Sequence, residues 1–234
     1  MLQLTGATDQ SEDLHRLKQV QTSIYALDQY LESTWQIDHS HINQLWNGIL
    51  TSLKNFDINF PDATIWCDEI NRYLHHELEL RVKKSPLRFT MRYYYYYKSC
   101  DIKLLRKLIY YMYPSLKTHL AESDWLQFDL ITEIYDDLDD LFEDCNTYNA
   151  NYFLFGVKFI GSDKIYEKFD EFLGVMEREV MLMKKEQLSH HMDEIIIKCL
   201  SHLELTRAYL SKQIEGDFEE RINKALIFTE FLKN

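Results

Sequence analysis

Breakers of regular structure are scarce. Six glycines and three prolines in 234 residues fall far below the usual share. Long helices joined by short connections are therefore expected. The four cysteines, Cys67, Cys100, Cys145 and Cys199, are widely spaced and form no CxxC pair. They read as single buried thiols in a reducing cytoplasm, not as a disulfide framework or a paired-cysteine metal site. No apolar run approaches the roughly 18 residues of a membrane-spanning helix. The start, MLQLTGATDQSEDLH, has no basic stretch followed by an apolar block, so no signal peptide is expected. A formal net charge of −12 argues against a nucleic-acid partner, because a phosphate backbone is met by a basic surface. A cytoplasmic protein is the expectation.

Several motifs are also missing. There is no phosphate-cradling glycine loop, no nucleophile elbow and no HExxH. A di-iron bundle needs paired Glu-x-x-His motifs, and the chain has one, Glu12 to His15. His75-His76 with Glu77 and Glu79, and the group Glu186, His190, His191 and Glu194, read as exposed or hydrogen-bonded side chains.

What is present is helical periodicity. With 46% apolar residues the chain can bury a sizeable core. Amphipathic stretches run over 11–35, 38–55, 62–81, 86–113, 115–146, 149–160, 162–185, 187–213 and 216–232. Ser85-Pro86 places a capping hydroxyl before a proline at a first helical position, and Pro114 ends one helix and starts another. No stretch shows strand alternation between turn signals. The expected architecture is a single all-α domain over 1–234, a bundle of about eight to nine helices. Residues 1–10 are expected to form a flexible N-terminus. The amphipathic C-terminal segments read as core or as a face for a homodimer or heterodimer.

Charge is distributed unevenly. Arg81 to Lys117 holds ten basic residues, whereas Thr118 to Val157 holds ten acids and no Lys or Arg. Wound at 100° per residue, Leu126, Leu130, Ile134, Leu138, Leu141 and Cys145 form an apolar stripe. Asp129, Glu133, Asp136, Asp140 and Asp144 form a second stripe beside it. Like charges at i,i+4 repel by a few tenths of a kcal/mol per pair. Either another helix supplies the cations, as a salt-bridge seam, or a metal does. Carboxylates one turn apart suit hard divalent ions such as Mg²⁺.

These residues resemble the class I isoprenoid synthases: trans-prenyl diphosphate synthases, squalene/phytoene synthases and terpene cyclases. DLITEIYDDLDDLFED, Asp129 to Asp144, is similar to the second aspartate-rich motif of the prenyl synthases. YYYKSCDIKLL, Tyr95 to Leu105, is similar to their lysine-threonine helix, with Lys98 and Ser99 at the diphosphate-contacting positions. Lys98 precedes Asp136 by 38 positions, about one helical turn short of the family's separation. Arg92 stands near the place of the terpene cyclases' diphosphate-sensing arginine. The resemblance covers roughly 86–160.

It implies a bundle of the class I terpenoid synthase fold and Mg²⁺-assisted ionisation of an allylic prenyl diphosphate, with about three ions. Asp136, Asp137 and Asp140 would be catalytic, and Asp136, Asp140 and Asp144 would ligate metal. Arg92, Lys98 and Ser99 would bind diphosphate. Of the five consecutive tyrosines, Tyr93, Tyr96 and Tyr97 would line the pocket. The first aspartate-rich motif has no full counterpart. Asp9 to His15 lies at about the right distance, and Asp28 with Glu32, at i,i+4, is the alternative metal half-site. The Gly-Lys-rich loop of prenyl synthases is absent, and Asn149 or Asn151 stands where a metal or phosphate contact would fall. The chain is then either a small divergent synthase or a non-catalytic bundle that binds a prenyl chain, regulates, or partners an active subunit.

Overall fold

α1 (Ser11–Ser33) buries Leu17, Val20, Ile24, Leu27 and Leu31, a three-four spacing that gives the helix one apolar face. It packs along α2 (His39–Ser52). Asp38 caps α2, its carboxylate accepting from the Ser40 N–H at 2.8 Å. Then follow α3 (Asp62–Trp66), α4 (Asp68–Arg81), α5 (Met91–Lys98), α6 (Cys100–Met112), α7 (Leu126–Asp139) and α8 (Leu141–Asp144). The chain ends with α9 (Tyr152–Ile160), α10 (Ser162–Lys185), α11 (His190–Lys212), α12 (Phe218–Asn223) and α13 (Leu226–Phe231). The computed structural model describes residues 11–59, 62–185, 190–212 and 218–233. The described residues are all-helical, with no strand, in one arrangement around a shared core. Among them no helix is long and apolar enough to cross a membrane.

The core is threaded by α7 and α10. α7 buries Leu130, Ile131, Ile134 and Leu138 and packs against α5, α10 and α11. α10 buries Ile165, Phe169, Leu173, Met176 and Val180 without residual exposure. Each such side chain contributes roughly 1.5–3 kcal/mol, an upper range before chain entropy is charged. Gly161, at φ +98°, ends α9 in a backbone region that favours glycine. Gly156 has no room for a side chain, since a Cβ would lie 2.2 Å from Ile165 Cγ1.

The division into helices is finer than the eight or nine expected. The stretch 86–113 is a 3₁₀ turn at Pro86–Arg88, capped by Ser85, followed by α5 and α6. Ser99, at φ −69° and ψ 20°, interrupts the last two. The stretch 115–146 begins as two 3₁₀ turns, Pro114–Thr118 and Glu122–Trp125, where Leu116 and Leu120 are buried while Lys117, Thr118, His119, Ala121, Glu122 and Ser123 are exposed. Asp140 separates α7 from α8. Periodicity runs through such one-residue breaks unchanged. Residues 1–10, expected to be flexible, lie outside the described residues, as do Asp9 and Glu186 of the acidic and histidine groups and the side chains of His190 and His191.

Candidate functional site

α1 packs against α6, and residues of both, with others from the later turns of α7, line a cavity of about 200 Å³. α1 contributes Asp28 and Glu32, one turn apart. α5 contributes Lys98, and the first turn of α6 contributes Asp101. From α7 and its continuation come Glu133, Asp136, Asp137, Asp140 and Asp144. Tyr25, Tyr73 and Asn149 complete the polar lining. Eight carboxylates thus share a cavity with one ammonium. The expected residues Asp28, Glu32, Lys98, Asp136, Asp137, Asp140 and Asp144 come together here, although they span half of the chain.

Each fixed group has its own partner. Lys98 Nζ donates to Asp137 Oδ1 at 2.9 Å. Asp137 is buried, and its Oδ2 accepts from the Tyr95 hydroxyl at 3.1 Å and the Tyr152 N–H at 3.2 Å. Both oxygens of Asp137 are therefore engaged, Oδ1 by Lys98 and Oδ2 by groups that hold the carboxylate in place. Asp144 accepts from Asn149 Nδ2 at 2.9 Å and Asn151 Nδ2 at 2.7 Å. Asn151, fully buried, also donates to the Asp137 carbonyl and caps α9 by accepting from the Leu154 N–H at 3.0 Å. Asp28 accepts from the buried Tyr73 hydroxyl.

The remaining carboxylates are less provided for. Of the eight, only Asp137 has a salt-bridge partner among the described residues. Burial, then Asp28 beside it, pushes Glu32 up to about 8. Burial and then Asp140 push Asp136 up to about 6, and burial pushes Asp144 to about 6 even with Lys98 nearby. Glu133 is raised well above the ordinary carboxylate range by burial and then Asp101. Burial alone would lower Lys98, but Asp137, Asp144 and Glu133 hold its ammonium well above its ordinary value.

Part of the acidic stripe is neutralised as a seam. Asp129 pairs with Arg106 through two hydrogen bonds, one of 2.8 Å, with both side chains buried. This pair lines a second cavity, of about 280 Å³, with Lys103, Lys107 and Glu69. There Lys103 and Lys107 both pair with Glu69, so the cations are matched by acids. The salt-bridge seam therefore holds for Asp129, and the stripe beyond it opens into the first cavity without cations of its own.

Two expected diphosphate ligands stand elsewhere. Arg92 makes two 2.6 Å hydrogen bonds to Glu179 on α10 and does not line the cavity. The Ser99 hydroxyl is buried and donates to the Tyr96 carbonyl at 3.0 Å, because the break at Ser99 turns it back onto its own helix. The tyrosine run likewise differs from expectation: none of Tyr93 to Tyr97 lines the acidic cavity. Tyr94, Tyr95 and Tyr97 are buried core side chains. The Tyr94 hydroxyl donates to the Ala150 carbonyl. Tyr96 borders the second cavity, with Lys103 3.4 Å over its ring. The tyrosines that do line the site, Tyr25 and Tyr73, come from α1 and α4. Tyr73 and Asp101 carry no local signal of a site, whereas Glu133 lies on the acidic stripe visible in the sequence.

The carboxylates offer oxygen donors, which suit a hard cation such as Mg²⁺; Cys100 also lines the cavity, but burial and then Asp101 hold its thiol well above its ordinary value. Among the described residues no three metal-binding side chains close round a single ion position. The carboxylates line the cavity from α1, from α6 and from α7 with its continuation. Mg²⁺ keeps several waters and is held by one or two carboxylates together with phosphate oxygens. No protein-family model, curated protein or solved structure matches the chain.

Proposed function

We propose that this chain is a class I isoprenoid enzyme that ionises an allylic prenyl diphosphate with the help of Mg²⁺. The observation that carries the reading is the meeting of Asp28 and Glu32 with Asp136, Asp140 and Asp144 in one cavity with Lys98. Those three parts are distant in sequence, and the resemblance assigns each a role at one diphosphate.

In this reading Asp28 and Glu32 hold cations on one side, and Asp136, Asp140 and Asp144 hold them on the other. Mg²⁺ bound there supplies charge that stabilises the departing diphosphate. The chain's own work is to gather the negative ligand into a cavity that is otherwise negative. Lys98 donates to diphosphate oxygens, and Asp137 aims it. Asn149 and Asn151 orient Asp144, as hydrogen-bonded outer partners do for ligating carboxylates. Repulsion within the row is relieved by a proton or by a cation alike, so metal competes with protons there, and bound metal in turn offsets the charge of the diphosphate.

The test is diphosphate release from allylic diphosphates of several chain lengths in Mg²⁺. Release is expected from at least one, and Asp136→Ala and Lys98→Ala should each abolish it. Substrates that all stay intact would refute catalysis by this chain. The second reading, a non-catalytic prenyl-binding, regulatory or partner bundle, is favoured by one observation: Arg92 is engaged by Glu179 and not by the cavity. It predicts intact substrates with retained binding to a partner or prenyl ligand.

A further inference from the structure

Asp28 reaches the cavity from α1, and its hold comes from outside every acidic stretch. Tyr73 sits on α4, 45 positions away in the sequence. It is 8% exposed, and its hydroxyl donates to Asp28 Oδ1. No other hydrogen bond to the Asp28 side chain is made among the described residues, so Oδ2 is left for the cavity that both residues line. The ring of Tyr73 is packed against Tyr97, centroids 6.5 Å apart, and Tyr97 is itself buried. The hydroxyl thus stands on a wedged aromatic base. Glu32, one turn along α1, has no such side-chain partner among the described residues.

We propose that Tyr73 is the positioning residue of the α1 half-site: it fixes Asp28 with one oxygen free to meet a divalent cation, while Glu32 stays free to swing. This rests on the metal–diphosphate reading of the cavity. Outer partners that orient a ligating group typically change metal affinity by about 10–100-fold when removed.

The experiment follows the rise in melting temperature of the full chain as Mg²⁺ is added with inorganic diphosphate held fixed. Tyr73→Phe removes only the hydroxyl and should raise the Mg²⁺ concentration for half-effect by about tenfold. Tyr97→Phe, the same change one ring further in, should leave that concentration where it is. Asp28→Asn should weaken Mg²⁺ at least as much, and adding Tyr73→Phe to it should change nothing more, because the hydroxyl acts through Asp28. An unchanged half-effect concentration in Tyr73→Phe overturns the proposal while leaving the cavity's reading intact. So does an effect of Tyr73→Phe that persists undiminished on Asp28→Asn. A wild-type protein that does not respond to Mg²⁺ and diphosphate overturns the reading of the cavity, and the role of Tyr73 with it.

Discussion

Lys98 Nζ lies 2.9 Å from Asp137 Oδ1, and it is the one cation among eight carboxylates that line the same cavity. The pair is well enclosed, with 13% and 3% of the two side chains exposed. Because Asp137 also accepts from Tyr95 and the Tyr152 N–H, it ties α5, α7 and α9 together at the point where the lysine enters the site.

Asp137→Ala should therefore be costly. It removes a buried partner from an ammonium and leaves a phenol and a backbone N–H unpaired. Loss of one member of a buried pair costs roughly 3–5 kcal/mol. The nearby Asp144 and Glu133 compensate part of it, which sets the expectation at about 3 kcal/mol by urea unfolding. A loss under about 1 kcal/mol, the worth of an exposed pair, would mean that Asp137 does not bear this load.

The crowded carboxylates give the metal-free protein a signature in pH. Glu32 is raised from 4.5 to about 8, and Asp136 and Asp144 from 3.8 to about 6. Between those limits the folded protein keeps protons that the unfolded chain has released. The stabilisation is full below the unfolded values and is lost as pH rises through the folded ones. In chelator, the melting temperature should fall from about pH 5 to about pH 8. Glu32→Gln should flatten that slope and raise the melting temperature at the alkaline end. A melting temperature that climbs over this range would contradict the electrostatic picture of the cavity.

Asn151 joins three structures with one amide: the α9 cap, the Asp137 carbonyl and Asp144. Loss of an N-cap costs about 1 kcal/mol, and a buried acceptor left bare costs about 1–3 kcal/mol. Asn151→Ala is expected to destabilise by about 2–3 kcal/mol. Asn149→Ala, which removes a less buried bond to Asp144, should cost well under half of that. Equal losses in the two variants would remove the special place given to Asn151.

Gly156 offers a check on the packing of α9 against α10. A Cβ there meets Ile165 Cγ1 at 2.2 Å and Cδ1 at 2.3 Å, and Ile165 has no residual exposure. Gly156→Ala should destabilise by about 1–3 kcal/mol through overpacking. Gly156→Ala with Ile165→Val should recover part of the loss. A fully stable single variant would show that the two helices are further apart than described.

The helical class and the acidic stripe were legible because both are local. Few breakers and a 3.6-residue period mark helices, and Asp136, Asp140 and Asp144 follow one another at one-turn spacing. Asp28 with Glu32 is legible as a pair for the same reason. What joins these rows is not local. Arg92 finds Glu179 87 positions away, and Arg106 finds Asp129 23 positions away. Which acids are neutralised and which stay open is decided by those distant partners. The five tyrosines were ambiguous because aromatic side chains near a lysine suit a pocket wall as well as a core, and Tyr94, Tyr95 and Tyr97 are buried in the core. Asp137 looked like one more acid of the motif, yet its neighbours make it the holder of Lys98.

The central claim is that the two acidic rows and Lys98 bind one metal–diphosphate complex. The most direct measurement is the melting temperature with Mg²⁺, with inorganic diphosphate, and with both. A ligand that binds only the folded state raises it by mass action, by about 2.7 kcal/mol of stability at a hundredfold excess over its dissociation constant. The account predicts a rise with both together that exceeds the sum of the separate effects, and its loss in Asp136→Asn and in Lys98→Met. A melting temperature that stays the same with both present would contradict it.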